Sequence, residues 1–370
     1  MMGGNLLGER FVVGLFGESH GACVGAFIDG CPAGLELELQ EIQRELDLRK
    51  PGQSLVSSLR REPDRVEVLS GLFEGRTTGA PICLIIRNVD ARPEAYEALK
   101  HRPRPSHADY FARIKYGGFN DWRGGGRFSG RLTAPLVAAG AIAKKLLMAS
   151  LGIEVLAYSL EIAGVRARVP EVAKIRELRY SNDVRCPDPV AAEEMKRQIL
   201  EARRQGDSVG GIVECVALNA PVGLGEPFFG ALDADLSRAL MAIPAAKGVE
   251  FGRGFEAAGL RGSQNNDPFI LRADRVQPAS NNAGGIVGGL STGQPIVFRV
   301  AFKPPASIAK PQRTVDLRSK EEVEIVVPGR HDPCVVPRAV PVVEAVTALV
   351  LADHALRAGL IPPVLRGKWE

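Results

Sequence analysis

The order of the short apolar segments along this chain constrains its fold more than any other feature. Eight runs rich in apolar and β-branched residues, most of them bounded by Gly, Pro or Asp, predict strands. They cover residues 11–16, 24–28, 66–69, 81–87, 153–160, 211–218, 295–302 and 323–327. Fewer and longer segments keep helical spacing. They cover residues 35–46, 137–148, 232–243 and 342–356.

Strands and helices do not alternate along the chain, which argues against a doubly wound parallel sheet and predicts an α+β layered architecture. Residues 190–204 are dense in charge and predict an exposed helix, and residues 166–189 have the weakest pattern and predict a surface excursion. The length of 370 residues alone would suggest two or three domains. No linker or composition shift marks a boundary between them.

Charge and cysteine content exclude several classes of protein. The 47 Lys and Arg nearly balance 43 Asp and Glu, and no basic block forms, so no nucleic-acid partner is expected. Six scattered cysteines without a C-x-x-C pair predict reduced thiols in a cytoplasmic protein. No signal peptide is apparent, and no apolar run approaches the roughly 20 residues that span a bilayer, so no membrane is expected.

Three glycine-rich loops are the first sign of function. Residues 17–21 follow a predicted strand, residues 123–131 precede a helix that should begin near Thr133, and residues 281–289 precede another strand. Such loops let backbone N–H groups approach an anion, and a helix N-terminus adds its positive end. None has the spacing of a P-loop or of a dinucleotide fingerprint. The loops therefore predict anion binding of another kind.

Arginine and histidine cluster beside these turns. Arg is the preferred partner of phosphate and carboxylate because its planar fork can bond two oxygens, and loop histidines near Ser, Asp and Arg suit proton transfer near neutral pH. The residues concerned are Arg104, Arg127, Arg131, Arg330, His20, His107 and His331. The histidines lack metal-ligand spacing, so no metal is expected, and Ser19 is not in a G-x-S-x-G motif. These residues indicate an enzyme for a small, multiply anionic substrate without naming the reaction.

Over essentially its whole length the chain resembles the chorismate synthase family. The motifs that carry the resemblance lie at residues 16–21 (Phe-Gly-Glu-Ser-His-Gly), 29–34, 48–54, 61–66, 69–79, 107–110, 115–117, 123–126, 137–145, 247–250, 261–265, 283–289, 303–304 and 329–333. The resemblance implies a 1,4-elimination of phosphate from 5-enolpyruvylshikimate 3-phosphate, which gives chorismate and requires reduced FMN with no net oxidation. It also implies central helices sandwiched between two antiparallel β-sheets, a single compact domain over residues 1–370, and a homotetramer.

The resemblance also implies roles for individual residues. His107 would stabilise and protonate the reduced flavin, and His20 would donate a proton to the departing phosphate. Ser19 and Ser129 would relay protons, and Asp332 would act near the central ring of the flavin. The substrate-binding residues would be Arg49, Arg104, Arg131 and Arg330. The flavin would be held by Arg127, Phe128, Ser129, Pro244, Ala245, Gly288, Lys303, Pro304, Pro305, Ala306, Ser307 and Arg330. An external reductase would supply the reduced flavin, so NADPH would take part only indirectly.

Four places depart from the usual family pattern. Ser106 stands where glycine is common, and Asn282 stands where histidine is common. Within residues 127–133, Phe128 and Leu132 stand where serine and glutamate are common, and many members carry a second basic residue near Leu55. Phe128 and Asn282 motivate one alternative, a paralogue that binds FMN or a related anion without this activity. The other alternative is a flavin-dependent lyase acting on a related cyclohexene phosphate.

Overall fold

The computed structural model describes residues 4–52, 54, 56–58, 62–90, 96–168, 171–327 and 331–365. Arg330 and Leu55 lie outside these residues. The strands within them are β1 (Leu6–Leu7), β2 (Val12–Gly17), β3 (Cys23–Asp29), β4 (Val66–Ser70), β5 (Leu72–Phe73), β6 (Arg76–Thr77), β7 (Ile82–Arg87), β8 (Glu154–Ile162), β9 (Val165–Arg166), β10 (Gly211–Leu218), β11 (Ala246–Phe251), β12 (Phe269–Arg272), β13 (Arg275–Pro278), β14 (Ile286–Val287), β15 (Leu290–Ser291), β16 (Ile296–Phe302), β17 (Gln312–Asp316) and β18 (Glu321–Ile325).

The helices are α1 (Leu39–Arg49), α2 (Asp109–Lys115), α3 (Thr133–Leu151), α4 (Val172–Leu178), α5 (Pro189–Arg204), α6 (Leu232–Met241), α7 (Gly262–Asn265) and α8 (Val336–Arg357). One antiparallel sheet has the strand order β1-β2-β3-β7-β4, and a second has the order β11-β16-β10-β8-β9. Four two-stranded ribbons complete the strands of the described residues: β5-β6, β12-β13, β14-β15 and β17-β18.

The two longest helices form the middle of the structure. Helix α3 packs against β3 and β7 of the first sheet, α8 packs against β8 and β10 of the second, and the two helices pack on each other. A Cβ on Gly140 of α3 would lie 2.3 Å from the Cβ of Ala345 in α8, so only glycine allows this close approach. The predicted arrangement of helices between two antiparallel sheets is confirmed.

A buried carboxylate ties these layers together. Glu344 of α8 accepts hydrogen bonds from Lys144 of α3 at 2.9 Å, from the backbone N–H of Ala157 in β8 at 2.9 Å and from Arg179 at 3.1 Å. Burial alone would raise the pKa of Glu344. The positive charges of Lys144 and Arg179 lower this pKa by more than burial raises it, so it lies below its usual range. The charge is therefore compensated inside the core.

Three local features differ in detail from the sequence-based expectations. The helix predicted over residues 190–204 is present as α5, but it is amphipathic, because Ala191, Met195, Ile199 and Ala202 share one face and are buried. The segment 166–189 contains α4, with Ile175 buried. Helix α8 begins at Val336, six residues earlier than the pattern predicted, since Pro337 and Pro341 interrupt the periodicity without ending the helix.

Two segments are long and apolar enough to cross a membrane by length and composition, contrary to expectation: Gly130–Leu151 and Val336–Arg357. The most apolar 18-residue stretch of each segment is largely buried inside the fold, as in core helices: 72% in Gly130–Leu151 and 94% in Val336–Arg357. All six cysteines are free thiols, as expected. Burial raises the pKa of the Cys186 thiol to about 11, so this thiol stays protonated.

Candidate active site

Helices α3 and α8 begin at the same cavity, which has a volume of about 580 Å³. Gly130 and Thr133 at the start of α3, and Val335 and Ala339 at the start of α8, line it. The positive end of a helix dipole and its first unpaired N–H groups favour a nearby anion. Two core helices thus orient the cavity toward negatively charged ligands.

Three consecutive glycines shape one wall of the site. Gly124, Gly125 and Gly126 have φ values of +59°, +84° and +50°, a region that favours glycine. A Cβ on Gly124 would lie 2.2 Å from Cε1 and Nδ1 of His20, and a Cβ on Gly125 would lie 3.0 Å from Cε1 of His107. The loop therefore lies against both predicted catalytic histidines. At Gly124 the distance excludes a side chain, and at Gly125 a side chain would require the His107 ring to shift by a few tenths of an ångström.

Two of the three glycine-rich loops meet here. The N–H of Ser19, in the 17–21 loop, donates to the carbonyl of Gly126 at 3.2 Å. The third loop, residues 281–289, packs instead near β11 and β16, where Gly252 donates to the carbonyl of Val297 and Arg253 to that of Asn282. Gly288 of this loop is exposed and is not part of the cavity lining.

His107 lies between an aspartate and the glycine loop. Its Nδ1 is 2.6 Å from Oδ1 of Asp109. Arg104 donates to both oxygens of the same carboxylate, from Nε at 2.7 Å and from Nη2 at 2.8 Å, and its Nη1 donates to Ser307 at 3.0 Å. Burial acts to raise the pKa of Asp109, but hydrogen bonds from Arg104 and His107 lower it to well below its usual range. Asp109 is therefore ionised.

His20 does not line the cavity itself but lies behind two residues that do, Tyr96 and Gly124. Its ring is buried, Tyr96 contacts it edge-on with ring centroids 5.1 Å apart, and both Tyr96 and Gly124 line the cavity. The hydroxyl of the neighbouring Ser19 is buried and has no hydrogen-bond partner within the described part of the chain. The sequence did not indicate that His20 and Ser19 would be covered by the glycine loop.

Two predicted substrate arginines share one buried carboxylate. Arg49 donates to Oδ2 of Asp64 at 2.8 Å, and Arg131 donates to Oδ1 of the same residue. Asp64 is fully buried and has a φ of +48°. Burial acts to raise the pKa of Asp64, but the charges of Arg49 and Arg131 lower it below its usual range. Burial, followed by repulsion from Arg338, lowers the pKa of Arg49 to about 9.

Asp332 is held at the cavity by two partners. Its Oδ1 accepts the backbone N–H of Ser58 at 2.7 Å, and its Oδ2 pairs with Arg338 in the first turn of α8. Arg338 also donates to the carbonyl of Arg49 at 3.1 Å. The predicted acidic residue is therefore rigidly placed beside the arginine cluster.

Most of the predicted site residues meet in this one cavity. Those lining it are Arg49, Arg104, His107, Arg127, Phe128, Ser129, Arg131, Pro244, Ala245, Lys303, Pro305, Ala306, Ser307 and Asp332. Ser19, His20, Gly288 and Pro304 are not among the lining residues, and Arg330 lies outside the described residues.

Comparison with known proteins yields one family. The model of the family described as chorismate synthase matches residues 11–356. The chain is 58% identical over 360 residues to the chorismate synthase of Aeropyrum pernix, covering 96% of this chain and 94% of the relative. It is 56% identical over 370 residues to that of Chloroflexus aurantiacus, covering 100% and 99%. A crystal structure of chorismate synthase superimposes with a TM-score of 0.74 at 33% identity, covering 95% of this chain and 93% of that chain.

The chain belongs to the chorismate synthase family. It is accordingly a carbon–oxygen lyase of the shikimate pathway, which leads to the aromatic amino acids. The resemblance inferred from the motifs is confirmed.

The departures from the usual family pattern have local explanations. Ser106 has a φ of +57°, which suits the glycine common at this position, and Lys303 holds the turn by donating to the Ser106 carbonyl at 3.1 Å. Leu132 is buried, and the nearby arginines have other partners: Arg127 donates to the carbonyl of Leu15 at 2.9 Å and Arg131 pairs with Asp64. Neither arginine needs a charge at position 132.

Phe128 and Asn282 differ in their relation to the site. The ring of Phe128 is 39% exposed on the cavity wall and lies 6.4 Å, centroid to centroid, from Tyr116. Asn282 is not a lining residue, and its side chain accepts a hydrogen bond from Arg253 at 3.1 Å. Of the two, only Phe128 can alter how a ligand is held within the cavity.

Asp64, Asp109 and Arg338 were missed as functional residues in the sequence. Asp64 and Asp109 lie within motifs that carry the family resemblance, at residues 61–66 and 107–110. Neither their spacing nor their periodicity shows which arginines they pair with. Asp64 is 15 residues from Arg49 and 67 from Arg131, and such long-range pairs appear only in the folded chain. Pro63, immediately before Asp64, was the only local signal of a turn at this position.

We predict that Asp64→Asn destabilises the fold by about 3–5 kcal/mol at neutral pH, because it removes the buried carboxylate that two buried guanidinium groups share. The folded-state pKa of Asp64 is lowered, so its stabilisation is present above the unfolded pKa of about 3.9 and is lost as the pH falls. The difference in unfolding free energy between the wild-type protein and the variant should therefore narrow below about pH 4. Urea unfolding at a series of pH values measures this difference.

A matched control is Asp183→Asn, which removes a half-exposed ion pair with Lys196 at 3.0 Å. It should cost no more than about 1 kcal/mol. Equal losses of unfolding free energy in the two variants would contradict the proposed importance of the buried group formed by Asp64, Arg49 and Arg131.

Proposed function

We propose that this cavity binds 5-enolpyruvylshikimate 3-phosphate together with reduced FMN and eliminates phosphate to give chorismate. The observation that supports this best is the charge of the lining. Within the described residues it includes five arginines and two lysines, whereas its carboxylates are Glu62 and Asp332. The substrate carries one phosphate and two carboxylates, so cationic groups that converge on one cavity match its charge.

The arginines act as a preorganised anion site. Asp64 and Asp109 fix the guanidinium groups of Arg49, Arg131 and Arg104 before any ligand arrives. Fixed donors lose little entropy when an anion binds, and in a low-dielectric site they stabilise developing negative charge. A bound phosphate would also relieve the cost of burying Arg49 next to Arg338.

The two histidines would serve different ends of the reaction. His107 lines the cavity beside the residues proposed to hold the flavin, and there it would hold and deliver a proton. His20, behind Gly124 and Tyr96, would deliver a proton to the departing phosphate. Ser19 is its neighbour in the chain and Ser129 lines the cavity, so these two hydroxyls would relay protons.

The cavity fits a flavin. Its volume lies in the usual range for cofactor sites, and Met241, Ile243, Val335 and Val342 give it an apolar wall. Arg127 to Ser129, Pro244, Ala245 and Lys303 to Ser307 would hold the cofactor, with Asp332 nearby. Reduced FMN supplies the electron density that assists loss of phosphate from the substrate ring. Its supply by an external reductase, with NADPH used only there, stays a prediction, as does the cytoplasmic location that six free thiols favour.

The direct test is anaerobic incubation of the protein with reduced FMN and the enolpyruvyl substrate. We expect the absorbance of a conjugated diene to appear together with one released phosphate per product. His107→Ala should lower kcat by about 100- to 10,000-fold, the usual contribution of a general acid or base. His101→Ala, which changes a histidine outside the cavity lining, should keep the wild-type rate.

Two outcomes would contradict these assignments. Absence of product from a protein that binds FMN in a titration would exclude the proposed activity and favour the FMN-binding paralogue. Full activity in His107→Ala would exclude the role given to this histidine while leaving the activity in place.

We also propose that the chain forms a homotetramer. The β12-β13 ribbon exposes Phe269, Leu271 and Val276, which are 76%, 71% and 71% accessible. Apolar side chains clustered on one exposed ribbon are typical of a surface that is covered in an assembly.

Sedimentation velocity should give a mass near four times 39.6 kDa. Leu271→Glu should shift the protein to smaller species, whereas Val190→Glu on α5 should not, and a monomeric wild type would contradict the proposal.

A further inference from the structure

We propose that Asp109 is a positioning residue that holds His107 with its proton on Nδ1, leaving Nε2 to exchange a proton within the cavity. The inference rests on the proposed function, because it concerns how His107 performs the proton transfer assigned to it there. No role for Asp109 follows from the motif in which it lies.

The contact between the two side chains determines where the proton is. Nδ1 of His107 and Oδ1 of Asp109 are 2.6 Å apart. An unprotonated ring nitrogen and a carboxylate oxygen are both acceptors, so they cannot approach this closely without a proton between them. Asp109 accepts four hydrogen bonds and is ionised, so the proton belongs to the ring nitrogen.

Arg104 prevents the carboxylate from turning away. Its backbone N–H and Nε donate to Oδ2 at 3.1 and 2.7 Å, and its Nη2 donates to Oδ1 at 2.8 Å. Nη2 also lies 3.1 Å from Nδ1 of His107. With Nδ1 protonated, both nitrogens are donors that converge on the same oxygen, so this second contact is not a hydrogen bond. The Asp109 carboxylate is therefore held in one orientation, and its hydrogen bond to Nδ1 fixes the orientation of the His107 ring.

The other edge of the ring is restrained by backbone. A Cβ on Gly125 would lie 3.0 Å from Cε1 and 3.2 Å from Nε2 of His107, so the loop passes directly over this edge. The ring is held between Asp109 and Gly125, yet it still contributes to the cavity lining. Since Nδ1 is occupied, Nε2 is the nitrogen available for proton transfer to a ligand.

Wild-type protein tests the tautomer directly. Protein labelled with ¹⁵N-histidine contains five histidines, and the His107 signals are those that disappear in His107→Gln. At a pH where the ring is neutral, we expect the Nδ1 resonance to be that of a protonated nitrogen and the Nε2 resonance that of a bare one. A neutral His107 ring protonated on Nε2 in the wild-type protein would overturn the proposal.

Asp109→Asn tests the consequence for the reaction. In either orientation the amide sets an N–H against a donor of Arg104. If the N–H takes the position of Oδ1, Nδ1 of His107 can accept it, so the ring adopts the Nε2–H tautomer. We expect this tautomer in the spectrum together with a loss of kcat of about 100-fold or more, as when an amide replaces the aspartate that orients a catalytic histidine. Because Asp109 also fixes Arg104, KM should rise, but by less than about tenfold, since Arg49 and Arg131 remain in place.

The control is again Asp183→Asn, whose partner Lys196 is outside the cavity lining and whose kcat should equal that of wild type. A kcat for Asp109→Asn within about threefold of wild type would overturn the proposal. So would a reduced kcat with an unchanged Nδ1–H tautomer, since the damage would then be structural. Failure of the proposed function is distinguishable, because an inactive wild type would still show the expected tautomer.

Discussion

The contact of the Gly124–Gly126 backbone with two histidine rings is the constraint on which the site depends. His20 follows β2, whereas His107 precedes α2, and nothing in their local structure would bring them to one place. The glycine backbone contacts both because each position that faces a ring lacks a Cβ. The same segment leads into α3, so the core helix and the two histidines proposed to transfer protons are fixed relative to each other.

Buried carboxylates are the second element of the design. An arginine cluster without counter-charges would repel itself and would not be held in place. Asp64 and Asp109 neutralise part of the charge and fix the guanidinium groups, while the lining of the cavity remains cationic. Removing one partner of such a cluster is far more costly than removing a surface ion pair. The charged groups proposed to bind the substrate are therefore also part of what stabilises the fold around the cavity.

Sequence patterns predicted the fold better than the site. Strands such as β10 and β16 were found nearly to the residue, because their apolar runs end at glycine, proline or a turn. The first turns of α8 were missed because two prolines break the helical spacing, and the buried face of α5 was missed because charge dominates its composition. Most of the residues that the family resemblance assigned to the site line the cavity. The family motifs did not show that Asp64 joins Arg49 to Arg131 or that His20 lies behind Gly124, since these contacts depend on how distant segments pack.

The central claim is that the glycine loop places the histidines for catalysis, and Gly124→Ala tests it most directly. The added methyl would meet the His20 ring at 2.2 Å, whereas Gly164, with a φ of +80°, has no atom within 4 Å of the corresponding position. Both substitutions strain a backbone with positive φ, so Gly164→Ala controls for that strain. Single-turnover elimination should slow by about 100-fold or more in Gly124→Ala and stay near the wild-type rate in Gly164→Ala. A wild-type rate in Gly124→Ala would contradict the account.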